Sequence, residues 1–239
     1  MKINRNYIKI AALFLVVVGL YAFSNIRSGH KKIENIKIEF VGDENLYISQ
    51  EMVNKLLILS YGDLTNRPKE NIVLNTLEKA IEANDMVRNA QVYFTVDGTL
   101  MVRISQRKPI GRVEGVTSFY VDEDGSRMPF SKLHSARVPL ITGKITENSL
   151  REVHKVITYA NSDEFLKKNI IGVHVTEEGK YQLRFRMDNF VVALGNVGDL
   201  EKKFANFRAF YVKADKDNTL GDYSRVSLEF NNQVVCTKI

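Results

Sequence analysis

The residues that could do chemistry are dispersed along the chain. His30, His134, His154 and His174 share no His-x-His or His-x-x-x-His spacing, so no pair shares one strand or helix face to grip a metal ion. Asp122-Glu123-Asp124-Gly125 opens like a calcium loop. The third alternating ligand and the distal glutamate of an EF-hand are missing, and the segment suits a solvated turn better. Gly195-Asn196-Val197-Gly198 lacks the Lys-Ser/Thr of a phosphate loop, and its glycines suit the end of a strand and the start of a helix. No Gly-x-Ser-x-Gly elbow is present. The single cysteine, Cys236, has no nearby histidine and excludes an intrachain disulfide framework. No catalytic group, metal or cofactor is expected, and the chain reads as a binding protein rather than an enzyme.

The strongest feature is physical instead. Residues 10–23 form an apolar run without charge, containing Ile10, Leu13, Phe14, Leu15, Val16, Val17, Val18, Leu20 and Phe23. Lys2, Arg5 and Lys9 precede it; Arg27, Lys31 and Lys32 follow it. These are the only charged residues in residues 1–32. The chain has 34 basic and 28 acidic residues, so residues 33–239 carry 28 of each sign and are neutral overall. The basic excess therefore belongs to membrane flanks that meet anionic headgroups, and a nucleic-acid-binding domain, which needs its own basic patch, is disfavoured. A signal peptide, an anchor and a buried helix compete for the run. Extended to Tyr7–Ile26 it approaches the roughly 20 residues a bilayer requires. The Tyr21–Arg27 segment is a poor small-x-small cleavage site, so an uncleaved anchor is expected. Basic residues flank both sides equally, so charge alone does not set the orientation.

The elements beyond the anchor follow from periodicity. Ile36, Ile38 and Phe40 alternate in a strand ending at Gly42. Ser49 caps a helix carrying Met52, Val53, Leu56 and Leu57, closed by Gly62. A second helix follows Pro68 or Asn71, with Val73, Leu77, Ala80 and Ile81 as its stripe. Ala90, Val92, Phe94 and Val96 alternate, Asp97-Gly98 forms a two-residue turn with both residues at positive φ, and Leu100, Val102 and Ile104 alternate again. Ile38, Leu56, Leu77, Val92, Phe94 and Val102 are expected to be buried together. After Pro109, hairpins are expected around Asp124-Gly125 and Glu178-Gly179, and a strand over Val191–Leu194. Leu150, Val153, Val156 and Ile157 form one helical stripe. Asp199 caps another helix with Leu200, Phe204, Phe207 and Tyr211 on its core side. The last strand alternates Val226, Leu228 and Phe230 with Ser227 and Glu229.

Strand, helix, helix, strand, strand is the POTRA order, and here the chain resembles the bacterial cell-division family FtsQ/DivIB. The resemblance is carried by Ile36-Lys-Ile-Glu-Phe-Val-Gly42, Ile48-Ser-Gln-Glu51, Val87-Arg-Asn-Ala-Gln-Val92 and Thr99 through Ile110. It continues in Tyr120-Val-Asp-Glu-Asp-Gly125 and Val138-Pro-Leu-Ile-Thr-Gly143. Asp97-Gly98 stands where many members have Trp-Pro, and Gln106 where many have an acidic residue. The implied fold is α+β: an N-terminal transmembrane helix, a POTRA-like β-α-α-β-β domain, then a mostly β C-terminal domain with one or two helices. The expected divisions are 1–32 for leader and anchor, 33–107 for the POTRA-like domain and 108–239 for the β domain.

The resemblance also implies a function. The chain would be a non-enzymatic scaffold of the divisome in the cell inner membrane at the septum, its N-terminus cytoplasmic and residues 33–239 periplasmic. Its partners would be FtsB/FtsL-like proteins and other divisome membrane proteins. The family docks FtsB on its terminal strand, which here implies Val226, Ser227, Leu228, Glu229, Phe230, Val234 and Val235. Ser227 and Glu229 stand where many members have Asp and Arg, so charge pairing with the partner must differ. The same alternation would equally serve a strand packing its own core. A free POTRA edge near Val92–Val96 is a second candidate. The alternative function is a membrane-anchored POTRA module for secretion or envelope assembly.

Overall fold

The periodicities fold into two units, Met1–Gln106 and Arg107–Ile239. The structure, a computed structural model, describes residues 5–29, 32–42, 45–65, 67–115, 117–186, 189–231 and 233–239. Within the first helix it describes the side chains of residues 9, 10 and 12–23. The expectations for Lys2, Lys31 and His30, and for the side chains of Arg5, Tyr7, Ile26 and Arg27, lie outside the described residues.

Helix α1 runs from Arg5 to Gly29. The nine apolar side chains expected to form the anchor are between 46% and 70% exposed, so this helix leaves its apolar run uncovered by protein. Among the described residues no helix is long and apolar enough to cross a membrane, and the expected Tyr7–Ile26 span includes residues beyond that description.

The rest of the first unit has the expected order. Strand β1 is Ile36–Val41, helix α2 Gln50–Tyr61, helix α3 Leu74–Glu82, strand β2 Val87–Phe94 and strand β3 Leu100–Gln106. The sheet order is β1-β3-β2, with β1 parallel and β2 antiparallel to β3, so Ile38 and Val92 both sit opposite Val102. Ser49 accepts from Met52 N and caps α2; Gly62, at φ 73, ends it by donating to Ile58 O. Val53, Leu57, Leu77, Ile81, Val92, Leu100, Val102 and Ile104 are buried. Each fully buried aliphatic side chain contributes about 1.5–3 kcal/mol.

Several local expectations are corrected. Leu77, Val92 and Val102 are buried, but Ile38, Leu56 and Phe94 are only half-buried. Ile38 lies on an edge strand, and the α2 face centres on Val53 and Leu57. Val73 precedes α3 and is 58% exposed, its main chain bonded to the Tyr61 hydroxyl. The hairpin loop has three residues rather than two: Thr95 pairs with Thr99, and Gly98 N donates to Thr95 O. Only Gly98 takes positive φ there, and Val96, at the tip, is 97% exposed. An Asp-Gly pair serves both loop types, because the longer one needs glycine only at its last position.

The second unit is a nine-stranded sheet built from β4 (Pro109–Val113), β5 (Phe119–Asp122), β6 (Arg127–Met128), β7 (Leu140–Gly143), β8 (Ile170–Val175), β9 (Tyr181–Phe185), β10 (Val191–Gly195), β11 (Tyr223–Ser227) and β12 (Val235–Lys238). Its order is β12-β11-β10-β9-β8-β7-β4-β5-β6. The described residues of this unit hold three α-helices rather than one or two: α4 (Glu147–Asn161), α5 (Glu164–Asn169) and α6 (Leu200–Lys216). Parallel neighbours need a crossover, and α4 with α5 carries the chain from β7 to β8 while α6 carries it from β10 to β11. Leu150, Val153, Val156, Ile157, Leu166, Phe204 and Phe207 pack against Ile141, Val173, Leu183, Val192 and Val226.

Caps explain the helix starts. Thr146 and Ser149 form a capping box for α4, and Asp163 accepts from Leu166 N at α5. The cap expected of Asp199 at α6 is corrected: Asp199 sits at φ 51 and makes no side-chain cap bond. Lys203 takes over the junction, its Nζ donating to Leu194 O, Asn196 O and Asn196 Oδ1, each at 2.8 Å. Gly143 is obligatory at φ +93, because a Cβ would come within 2.0 Å of Val175 O.

Candidate partner-binding edge

A sheet accepts another strand only at an edge, and the nine-stranded sheet ends in β6 and β12. Strand β6 has two residues and runs into Pro129; Arg127 stacks on Phe119 at 4.8 Å and pairs with Glu147. Strand β12 is the more accessible edge.

The residues expected to form one strand from Val226 to Val235 divide between two. Ser227 ends β11, Val235 begins β12, and the two lie opposite each other in an antiparallel pair. The correction has a simple cause: Leu228, at 2% exposure, continues the alternation of Val226 after β11 has ended, and the chain then turns back. Strand β11 is itself interior, parallel to β10 on its other side. Val226, Ser227 and Leu228 are buried, and Val234 packs half-buried on the core. Phe230, 50% exposed in the connection, and Val235, 41% exposed on β12, are the two of the seven that face solvent.

Main-chain directions follow from one hydrogen bond. Leu228 N donates to Ala193 O of β10, so the even positions of β11 face β10 and the odd positions face β12. Val235 and Thr237, paired with Ser227 and Arg225, therefore face inward to β11. The N–H and carbonyl of Cys236 face outward. The Cys236 side chain lies half-buried on the core, where burial pushes its thiol up from the ordinary value.

Beside this edge lies a charge cluster that periodicity did not reveal. Glu229 Oε1 meets Lys180 Nζ at 3.0 Å, and its Oε2 lies 3.9 Å from Arg225 Nη2. The Lys180 hydrogen bond holds the Glu229 carboxyl below the usual carboxylate range. Glu229 folds over Gly195, where a Cβ would come within 2.7 Å of Glu229 Cγ. Lys180, Gln182, Ala193, Gly195, Arg225 and Glu229 line a groove of about 340 Å³. Lys180 was invisible because only the β9-β10-β11 order brings it to Glu229.

Other polar residues hold the scaffold. Gln106, at 5% exposure, accepts from Tyr47 N at 2.9 Å and donates to Ile48 O at 3.3 Å. An ionised carboxylate could only accept, which gives a use to the amide at this position. Asp122, at 1% exposure, accepts from Arg107 Nη1 at 2.7 Å and from the Asp124 and Ser126 amides. It ties a turn. His174 Nδ1 lies 2.9 Å from Thr142 Oγ1, and His154 Nε2 lies 2.9 Å from Glu123 O. Among the described residues no cluster of His, Cys, Asp and Glu has the arrangement to hold a metal.

The fold and its accessible edge define a two-unit protein, a POTRA-type module followed by a helix-backed sheet. A POTRA-like domain model matches residues 32–105, and the model described as FtsQ/DivIB, C-terminal related, matches residues 108–237. The chain belongs to the FtsQ/DivIB family. No curated protein matches it. Among solved structures it is similar to the major extracytoplasmic domain of the trans isomer of the bacterial cell division protein DivIB from Geobacillus stearothermophilus. That match has 16% identity and a TM-score of 0.34, covering 46% of this chain and 96% of that one.

Proposed function

We propose that this chain is a non-enzymatic scaffold of the bacterial division machinery that binds FtsB/FtsL-like partners by strand addition at β12. The observation that carries the reading is the outward-facing main chain of Cys236 on the edge of a nine-stranded sheet, with Phe230 exposed in the turn leading to it. A partner strand there gains ladder hydrogen bonds, while exposed side chains such as Phe230 and Val235 supply selectivity. The charge pair Lys180–Glu229 and Arg225 lie on the same side of the sheet end and favour a partner with both signs of charge.

In this reading α1 is the anchor in the inner membrane, and residues 33–239 lie in the periplasm at the septum. Its uncovered apolar run and its basic flanks support the anchor, and the periplasmic side rests on the family. The test uses the full-length tagged chain, co-expressed with the FtsB-like and FtsL-like proteins of its own cell. Both should co-purify, and phosphatase fused after Lys32 should be active in the periplasm. Recovery of neither partner overturns the scaffold reading, and an inactive fusion overturns the topology.

A further inference from the structure

The sheet of the POTRA-type unit has two edge strands, β1 and β2, and β2 is already occupied from within. Glu78 Oε1 accepts from Val92 N at 2.8 Å, and Glu82 Oε1 accepts from Ala90 N at 3.0 Å and from Asn89 Nδ2 at 3.1 Å. The geometry is a match of two repeats. Residues four apart on a helix rise about 6 Å, and alternate residues on a strand are separated by about 6.8 Å. Two glutamates one turn apart on α3 therefore reach two consecutive outward amides of β2, running in the opposite sense. Since Ala90 and Val92 face α3, Gln91 and Tyr93 face β3.

Strand β2 has little protection of its own. Val87-Arg-Asn-Ala-Gln-Val-Tyr-Phe94 contains one arginine, no lysine and no proline, whereas exposed edges are commonly blunted by such residues. An antiparallel pair of two such strands about Gln91 would set Ala90 against Val92 and Arg88 against Phe94. No like charges would meet.

We propose that Glu78 and Glu82 form a carboxylate ladder that closes β2 to strand addition, and that the strand it excludes is β2 of a second copy of this chain. The ladder concerns β2 alone and leaves β1, the other edge of the three-stranded sheet, as it is; it stands independently of what β12 binds. Charge-assisted hydrogen bonds are the stronger kind, and a carboxylate offers an incoming strand no donor in return.

The experiment uses the full-length chain in detergent micelles, with the variants E78A/E82A and E78Q/E82Q and the single variant E82A. Residue-resolved amide exchange is measured, together with binding of a fluorescent synthetic peptide of the Val87–Phe94 sequence. In E78A/E82A, exchange at Ala90 and Val92 should rise about tenfold or more while Gln91 and Tyr93 hold their protection. That variant alone should bind the peptide. E78Q/E82Q keeps an acceptor oxygen but loses the charge and gains a donor, so its exchange at Ala90 and Val92 should fall between the parent and E78A/E82A; E82A, the milder change, should release Ala90 and spare Val92. Unchanged exchange at Ala90 and Val92, equal loss at Gln91 and Tyr93, or peptide binding that does not distinguish parent from E78A/E82A overturns the proposal.

Discussion

Ser227 and Val235 face each other across the antiparallel β11–β12 ladder, so the chain reverses between them and Phe230 lies in the reversal. This relationship separates residues that hold the sheet from residues that can meet a partner.

Phe230→Ala should therefore leave folding nearly unchanged and weaken partner binding by about 1–3 kcal/mol. Leu228→Ala, at a position 2% exposed, should instead cost about 2–5 kcal/mol of stability. Denaturant midpoints and partner titrations on both variants measure the split. Equal effects on folding would contradict it.

Tyr120→Phe should loosen the segment before β7. The Tyr120 hydroxyl lies 3.2 Å from Ser135 Oγ and accepts from Ala136 N at 3.0 Å. Removing it leaves a main-chain donor unmet, at a cost of about 1–2 kcal/mol. Proteolysis should speed up within residues 129–139 before any other part of the second unit.

Asp122→Ala should cost about 2–4 kcal/mol, because it removes at once the carboxylate that the Arg107 guanidinium and two turn amides share. Arg107 remains partly solvated, which keeps the cost below that of a fully buried pair. Thermal unfolding of the variant reads this directly, and a midpoint equal to the parent's would show that the turn does not depend on the carboxylate.

Acid should release the Glu229 cluster. The Glu229 carboxyl is held below the ordinary value of 4.5 in the folded chain, chiefly by its hydrogen bond to Lys180. A depressed carboxylate stabilises the fold above its unfolded pKa, and that contribution fades as pH falls through the lower folded value. Lys180, whose pKa is raised by the same partner, loses its share only at strongly alkaline pH. The stability difference between the parent and Glu229→Gln should thus be full at neutral pH and shrink below pH 4.5. A difference independent of pH across that range would rule the linkage out.

Element types were legible wherever one face is buried. The β1–α2–α3–β2–β3 order, the α4 stripe and the β8–β9 hairpin all follow from alternation or helical spacing. Register and loop closure were not. Val96 continues the β2 alternation into a loop, as Leu228 and Phe230 continue that of β11, because the period of two outlasts the hydrogen bonds that define a strand. Helix α5 is six residues long and carries too little periodicity to stand out. The Glu78–Val92, Glu82–Ala90 and Lys180–Glu229 contacts join residues whose spacing carries no signal until the sheet order sets them side by side.

The affinity of Cys236→Pro for the FtsB-like partner tests the account most directly. Proline at this position removes the outward N–H of β12 while Val235 and Thr237 keep the ladder to β11, a placement that edge strands tolerate. The account predicts a chain that folds to within about 1 kcal/mol of the parent and binds the partner at least about tenfold more weakly. Cys236→Ser, which keeps the N–H, should bind as the parent does. A folded Cys236→Pro chain that binds with unchanged affinity would contradict strand addition at β12.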